Sequence, residues 1–153
     1  MTALPAGATR HARILLPANL PLLDAVIVSM SGLAWTSATL QIFGGPLARA
    51  TYHCSVLTPT GPRWIDYGPA RVVADPAALI IGCATFGRTG DGGPALHCHA
   101  ILSGPDGLVG GHLSPERCLI GPEGLIAHAV SGPEAGFSIQ RDPVSSFDLL
   151  APA

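Results

Sequence analysis

The residues best suited to chemistry in this chain are three histidines carried by one short stretch. Residues 95–113 read Ala-Leu-His-Cys-His-Ala-Ile-Leu-Ser-Gly-Pro-Asp-Gly-Leu-Val-Gly-Gly-His-Leu. His97 and His99 stand two apart in an extended apolar run, so their side chains leave the same face. The residues Gly104-Pro105-Asp106-Gly107 supply turn chemistry that returns the chain antiparallel. If Ser103 pairs with Leu108, His99 lies opposite His112, with Cβ atoms about 4.5 to 5.5 Å apart. Three neutral imidazoles on one face hold zinc or another divalent ion tetrahedrally and leave the fourth position for water or substrate, which suits catalysis. A type I turn with a bulge at Gly107 would instead slip the register by one residue and turn His112 to the other face. A second bulge at Gly110-Gly111 would restore it. Beside the metal reading stands a plainer one, in which the histidines hydrogen-bond to one another and to polar partners in an interface.

Other residues bear on the same region. Cys98 faces away from the histidines and is expected in the core. Cys54, Cys83, Cys98 and Cys118 show no C-x-x-C spacing, so all four read as small buried residues rather than a zinc knuckle or a dithiol. His53 and His128 fall in other strands, where packing is favoured over ligation, and His11 is expected to be exposed. Glu116 and Glu123 read either as proton-transfer groups near the hairpin or as exposed loop carboxylates. Arg117 and Arg141 suit an anionic substrate or carboxylates of another subunit. Asp91-Gly92-Gly93 lacks the strand-to-helix context and the Lys of a phosphate loop and reads as a turn. No serine sits in a nucleophile elbow.

The elements that must position these groups are mostly strands. One helix is expected over 20–30, with Asn19 as its cap, Pro21 in its first turn and its end near Ser31-Gly32. Strands are expected over 36–43, 50–58, 64–74, 78–86, 95–103, 108–113, 117–120, 125–130 and 137–141. The nineteen Gly and fifteen Pro read as turns between them, at Gly44-Gly45-Pro46 among other places, and 87–94 reads as a mobile flap. The termini are expected to fray. This pattern predicts an α+β fold, a mainly antiparallel sheet with one main N-terminal helix, in a single domain over 10–150.

Composition narrows the function classes. Of 153 residues, 48% are hydrophobic and 12% charged, which implies that part of the apolar surface is hidden in an oligomer. No run approaches the roughly 20 apolar residues of a membrane-spanning helix, and the longest candidate is broken by Asp24 and Ser29, so a soluble protein is expected. The start lacks the basic end and apolar stretch of a secretory signal, which predicts a cytoplasmic protein with reduced thiols. Net charge is −2. Every cation is an Arg, and the eight are scattered without the cluster that phosphate contacts require. Arg in place of Lys, with abundant Ala, Gly and Pro, suggests a GC-rich bacterial genome.

The run Leu96-His97-Cys98-His99-Ala100, then Pro105-Asp106-Gly107, then Gly110-Gly111-His112-Leu113, resembles the signature of the PPC domain, the module shared by plants and prokaryotes and found in plant AT-hook proteins. The helix over 20–30, the Gly44-Gly45-Pro46-Leu47 turn and the end from Phe137 to Leu150 follow that family's order of elements. The resemblance implies an α+β fold, a homotrimer, a signature turn at Gly110-Gly111 and a DNA-binding or regulatory role. The chain departs from the plant proteins in having neither an Arg-Gly-Arg-Pro hook nor a basic tail. The fold is also similar to that of acetolactate decarboxylase, in which three His from an H-x-H and a following strand hold zinc; His97, His99 and His112 fall at matching places. A PPC-type module contacting DNA or protein, and a metal-dependent lyase or hydrolase acting on a small oxygenated acid, are thus the two functional expectations.

Overall fold

A computed structural model describes residues 9–61, 63–73, 75–132 and 136–153. In chain order the elements are β1 (Arg10–Leu16), α1 (Leu22–Gly32), β2 (Ala38–His53), β3 (Ser55–Leu57), β4 (Ile65–Tyr67), β5 (Arg71–Val73), β6 (Ala77–Arg88), β7 (Pro94–Gly104), β8 (Gly107–Leu113), β9 (Leu119–Ile120), β10 (Leu125–Ser131), β11 (Phe137–Arg141) and β12 (Asp148–Pro152). A short 3-10 turn at Pro115–Arg117 links β8 to β9. The architecture is the expected α+β one. One ten-stranded sheet runs β1-β10-β2-β8-β7-β6-β11-β12, with β5 and β9 also paired to β2; β3 and β4 form a separate two-stranded sheet, and among the described residues only the β11–β6 contact is parallel.

The long strand β2 organises the sheet. Its first part lies between β10 and β6, and its last two residues reach β8. Because β6, β7 and β8 are also joined by hairpins, the pairings of β2, β6, β7 and β8 close on themselves. Residues 36–43 and 50–58 were expected as separate strands with a turn at Gly44-Gly45-Pro46, whereas these three residues are strand interior. A Cβ at Gly45 would stand 2.6 Å from a methyl of Leu125, and one at Gly44 3.3 Å from the carbonyl oxygens of Leu79 and Ile80. Glycine here permits close approach of neighbouring chains, not reversal.

The core lies between α1 and one face of the sheet. Leu22, Ala25, Val26 and Met30 of the helix pack on Leu16, Ile42, Leu102, Leu113, Ile120 and Leu125, all fully buried. The helix begins at Leu22, later than expected. Asn19 takes a φ of 59° and gives its N–H to the Ile120 carbonyl at 3.1 Å instead of capping. The Leu22 N–H, one of the helix's orphan donors, is satisfied by the Cys118 carbonyl at 2.8 Å, so the residue just before β9 substitutes for a side-chain cap.

Further differences have similar causes. Residues 10–16, to which the sequence assigned no element, form β1 against β10, and the last residues, expected to fray, form β12 against β11. The expected strand over 64–74 divides into β4 and β5 at Gly68-Pro69. The expected flap is a tight hairpin loop: Thr89 donates its N–H to the Gly93 carbonyl at 2.8 Å, and its hydroxyl bonds to Asp91. The expected strand over 117–120 keeps only Leu119–Ile120. The expected turn at Gly110-Gly111 is also a correction. Both residues lie inside β8, opposite Ile101 and Ala100, in unbroken register. A Cβ on Gly111 would run into the His53 carbonyl oxygen and stand 3.2 Å from Tyr52, so Gly111 lets β8 approach β2. Cys98 and Cys118 are buried as expected, but Cys54 is half-buried and Cys83 exposed. Cys83 sits at a position that faces away from the helix.

Candidate metal centre

The hairpin β7–β8 has the direct register. Ser103 pairs with Leu108 and His99 with His112, with Pro105-Asp106 as a two-residue loop and Gly107 at a φ of 106°. His97, His99 and His112 therefore share the face of the sheet that the helix does not cover. One ring nitrogen from each lies within 4.8 Å of the others, and among the described residues these are the His, Cys, Asp and Glu side chains brought together in this way. The ring centroids are 4.7 to 5.2 Å apart. The Nε2 atoms of His97 and His99 stand 3.1 Å apart, close to the separation of about 3.3 Å for two imidazoles held about 2.0 to 2.1 Å from one tetrahedral ion.

Electrostatics keeps two of these rings in the ligand form. Burial first, then the neighbouring His97, His99 and His53, pushes His112 down from 6.5 to about 4. Burial and then His99 lower His97 as well. A neutral imidazole offers a lone pair without first losing a proton. The same shifts give a pH dependence. In the unfolded chain each ring takes its proton near 6.5, whereas the folded chain resists until well below. The metal-free protein is thus expected to lose stability as pH falls from 6.5 toward 4, with no further loss from His112 below that. Thermal melts across this range check it, and His112→Ala is expected to show a shallower decline than the wild type.

The neighbours of the cluster are set by β2 and by the β3–β4 excursion. His53 pairs with His112 across β2 and β8 and so shares its face. Its Nδ1 lies 2.9 Å from the Gly68 carbonyl and its Nε2 3.1 Å from the Ser114 hydroxyl. A carbonyl only accepts, so Nδ1 donates to Gly68 and Nε2 accepts from Ser114; both nitrogens are engaged, and His53 braces the site. Tyr67 packs on the His112 ring at 4.6 Å, with its hydroxyl 3.5 Å from Nδ1. Burial, and then Asp66, raises the Tyr67 phenol, against the opposing charge of Arg63. This leaves Nε2 of His112 for the cluster.

Glu116 lines a pocket of about 230 Å³ with His112, Tyr67, His53 and Ser114, whereas Glu123 lies on the turn before β10. Arg141 pairs with Asp148 of its own chain at 3.2 Å, and Arg117 is exposed. His11 is exposed as expected and stacks on His128 at 5.5 Å. On the other side of the cluster, His97 and His99 border a groove of about 490 Å³ that extends to Gln41 and His128. Sequence reasoning missed Tyr67 and Gln41, which reach the site from elements distant in sequence, and Ser114, which follows β8 directly but meets His53 only because β2 pairs with β8.

No protein-family model matches the chain, and no curated protein does. Solved structures do. A plant- and prokaryote-conserved (PPC) protein of Pyrococcus horikoshii superposes with a TM-score of 0.67 at 16% identity, over 95% of this chain and 92% of that one. The "Putative DNA-binding protein" of Ralstonia eutropha JMP134 gives 0.67 at 16%, over 91% and 89%. A metal-containing protein of Archaeoglobus fulgidus gives 0.67 at 14%, over 95% and 94%. The chain therefore has a PPC-like fold, as its histidine hairpin led us to expect.

Proposed function

We propose that this chain is a metal-binding protein in which His97, His99 and His112 hold one divalent ion, zinc by the chemistry of the donor set, and that it works on a small oxygenated acid as a lyase or hydrolase. The observation that carries this reading is the convergence of three imidazole nitrogens within 4.8 Å on an open face, in two rings biased to the neutral form. The ion, when bound, supplies a Lewis acid with a free coordination position. Tyr67 and His53 hold the His112 side of the site, and Glu116 is the carboxylate placed to accept or give a proton in the pocket beside it. Zinc titration into the metal-free protein is expected to saturate at one ion per chain. Absence of saturable binding would remove the reading.

The domain, over 10–150, is proposed to act in the cytoplasm as a homotrimer. The open face supports self-association. On that face Leu15 pairs with Ile126, Phe43 with Ile81 and Ile81 with Ile101, and all five are exposed, Leu15 to 62% and Ile101 to 45%. Exposed apolar residues grouped on one face in this way mark an interaction surface. Analytical ultracentrifugation is expected to give three times the 15.6 kDa of the chain, and Ile81→Asp to give monomers. A wild-type monomer would refute the assembly. No helix is long and apolar enough to cross a membrane.

DNA contact is the second reading, favoured by the names of two of the solved structures. The cations speak for it weakly. Arg63 and Arg141 are paired with Asp66 and Asp148, and Arg10 lies over the Trp35 ring.

A further inference from the structure

The register of the open face places more than the three histidines in one line. Arg13 pairs with His128, His128 with Gln41, Gln41 with Cys83, Cys83 with His99, and His99 with His112. Directly paired residues share a face, so this row crosses the sheet from β1 to β8. The groove of about 490 Å³ lies along it, with His97 and His99 at one end and His128 at the other. Its floor carries neutral polar groups, among them Gln41, Thr39 and Thr85, and its lining contains no carboxylate. Nor do the flanking rows through Leu15 and through His11 contain one. Although the chain is net negative, this row has the cluster of His97, His99 and His112 toward one end and Arg13 at the other, one strand beyond the groove lining at His128, with His11 stacked on His128.

We infer that this groove binds an elongated small anion with two acidic ends, one at the ion held by His97, His99 and His112 and the other at His128 and Arg13. The inference rests on the metal reading above and adds the far anchor and the length of the ligand. Three strand spacings separate His99 from His128, roughly 14 Å at the backbone. An ion about 2 Å from its imidazoles and a hydrogen bond of about 3 Å at the far end leave about 9 Å for the ligand. A volume of this size is ordinary for a small-molecule site. Gln41, midway, presents an amide to whatever polar group the ligand carries there.

The test is calorimetry of the zinc-loaded full chain with acetate, succinate, adipate, suberate and sebacate. Adipate or suberate is expected to bind at least about tenfold more tightly than acetate, the scale of one charge-assisted hydrogen bond, with succinate too short to gain. Arg13→Gln and His128→Ala, both at exposed positions, are expected to remove that advantage while zinc affinity and acetate binding stay unchanged. Equal affinity for all the acids, or a length preference that survives both substitutions, would overturn the inference and leave the zinc site standing. Failure of the wild type to bind zinc would overturn both. Displacement of suberate by random duplex DNA, lost in Arg13→Gln, would assign the same anchor to phosphate and overturn the small-ligand assignment.

Discussion

Replacing His112 by alanine is expected to lower zinc affinity by more than about 100-fold. Losing a group that merely orients a ligand costs 10- to 100-fold, and His112 is itself one of three donors. The ring is half-buried between Tyr67 and the two histidines of β7. Its removal leaves His97 and His99 with their Nε2 atoms still 3.1 Å apart, a two-nitrogen site that binds zinc only weakly. The fold should persist, because His112 lies on the open face and contributes to no part of the buried core. Competition with a chromophoric chelator measures the loss, and circular dichroism confirms the fold. An affinity within a few-fold of the wild type would mean that His112 is not a ligand.

Gly111→Ala is expected to be the most damaging single-methyl substitution in the hairpin. The added Cβ meets backbone, the His53 carbonyl, which cannot swing aside as a side chain can. β8 would have to withdraw from β2, breaking the Tyr52–Leu113 and His53–His112 pairing that closes the strand ring. A cost of about 3 kcal/mol or more follows, within the range of forced overpacking, corresponding to a fall in melting temperature of about 10 °C for a chain of this size. Zinc affinity should fall with it, because His112 is the next residue. A control at Gly107 separates the causes: no atom lies near a Cβ there, and Gly107→Ala acts only through its positive φ, at about 1 kcal/mol.

The histidine site was legible from residue types because it is local. A hairpin encodes its own register in its loop, and Pro105-Asp106 between two glycines was enough to bring His99 opposite His112 once the direct pairing was taken. The helix was legible from its apolar spacing, but not its start, since the partner of Leu22 is a carbonyl nearly a hundred residues away. Glycines misled most. Gly44-Gly45 looks like a turn in sequence, and the family resemblance implied one at Gly110-Gly111, yet both pairs are strand positions with close neighbours: a Cβ would meet a Leu125 methyl at Gly45 and the His53 carbonyl at Gly111. That distinction depends on β2 contacting β6, β8, β9 and β10, which no local pattern states. The groove to His128 was hidden for the same reason, as it joins residues of β10, β2, β6 and β7 that become neighbours only across the sheet.

The most direct test of the central claim is zinc titration of the metal-free wild type beside His97→Ala and His112→Ala, followed by calorimetry with metal content measured on the same samples. We expect one zinc per chain in the wild type and no stoichiometric zinc in either variant. No saturable binding in the wild type, or the same zinc content in all three, would contradict it.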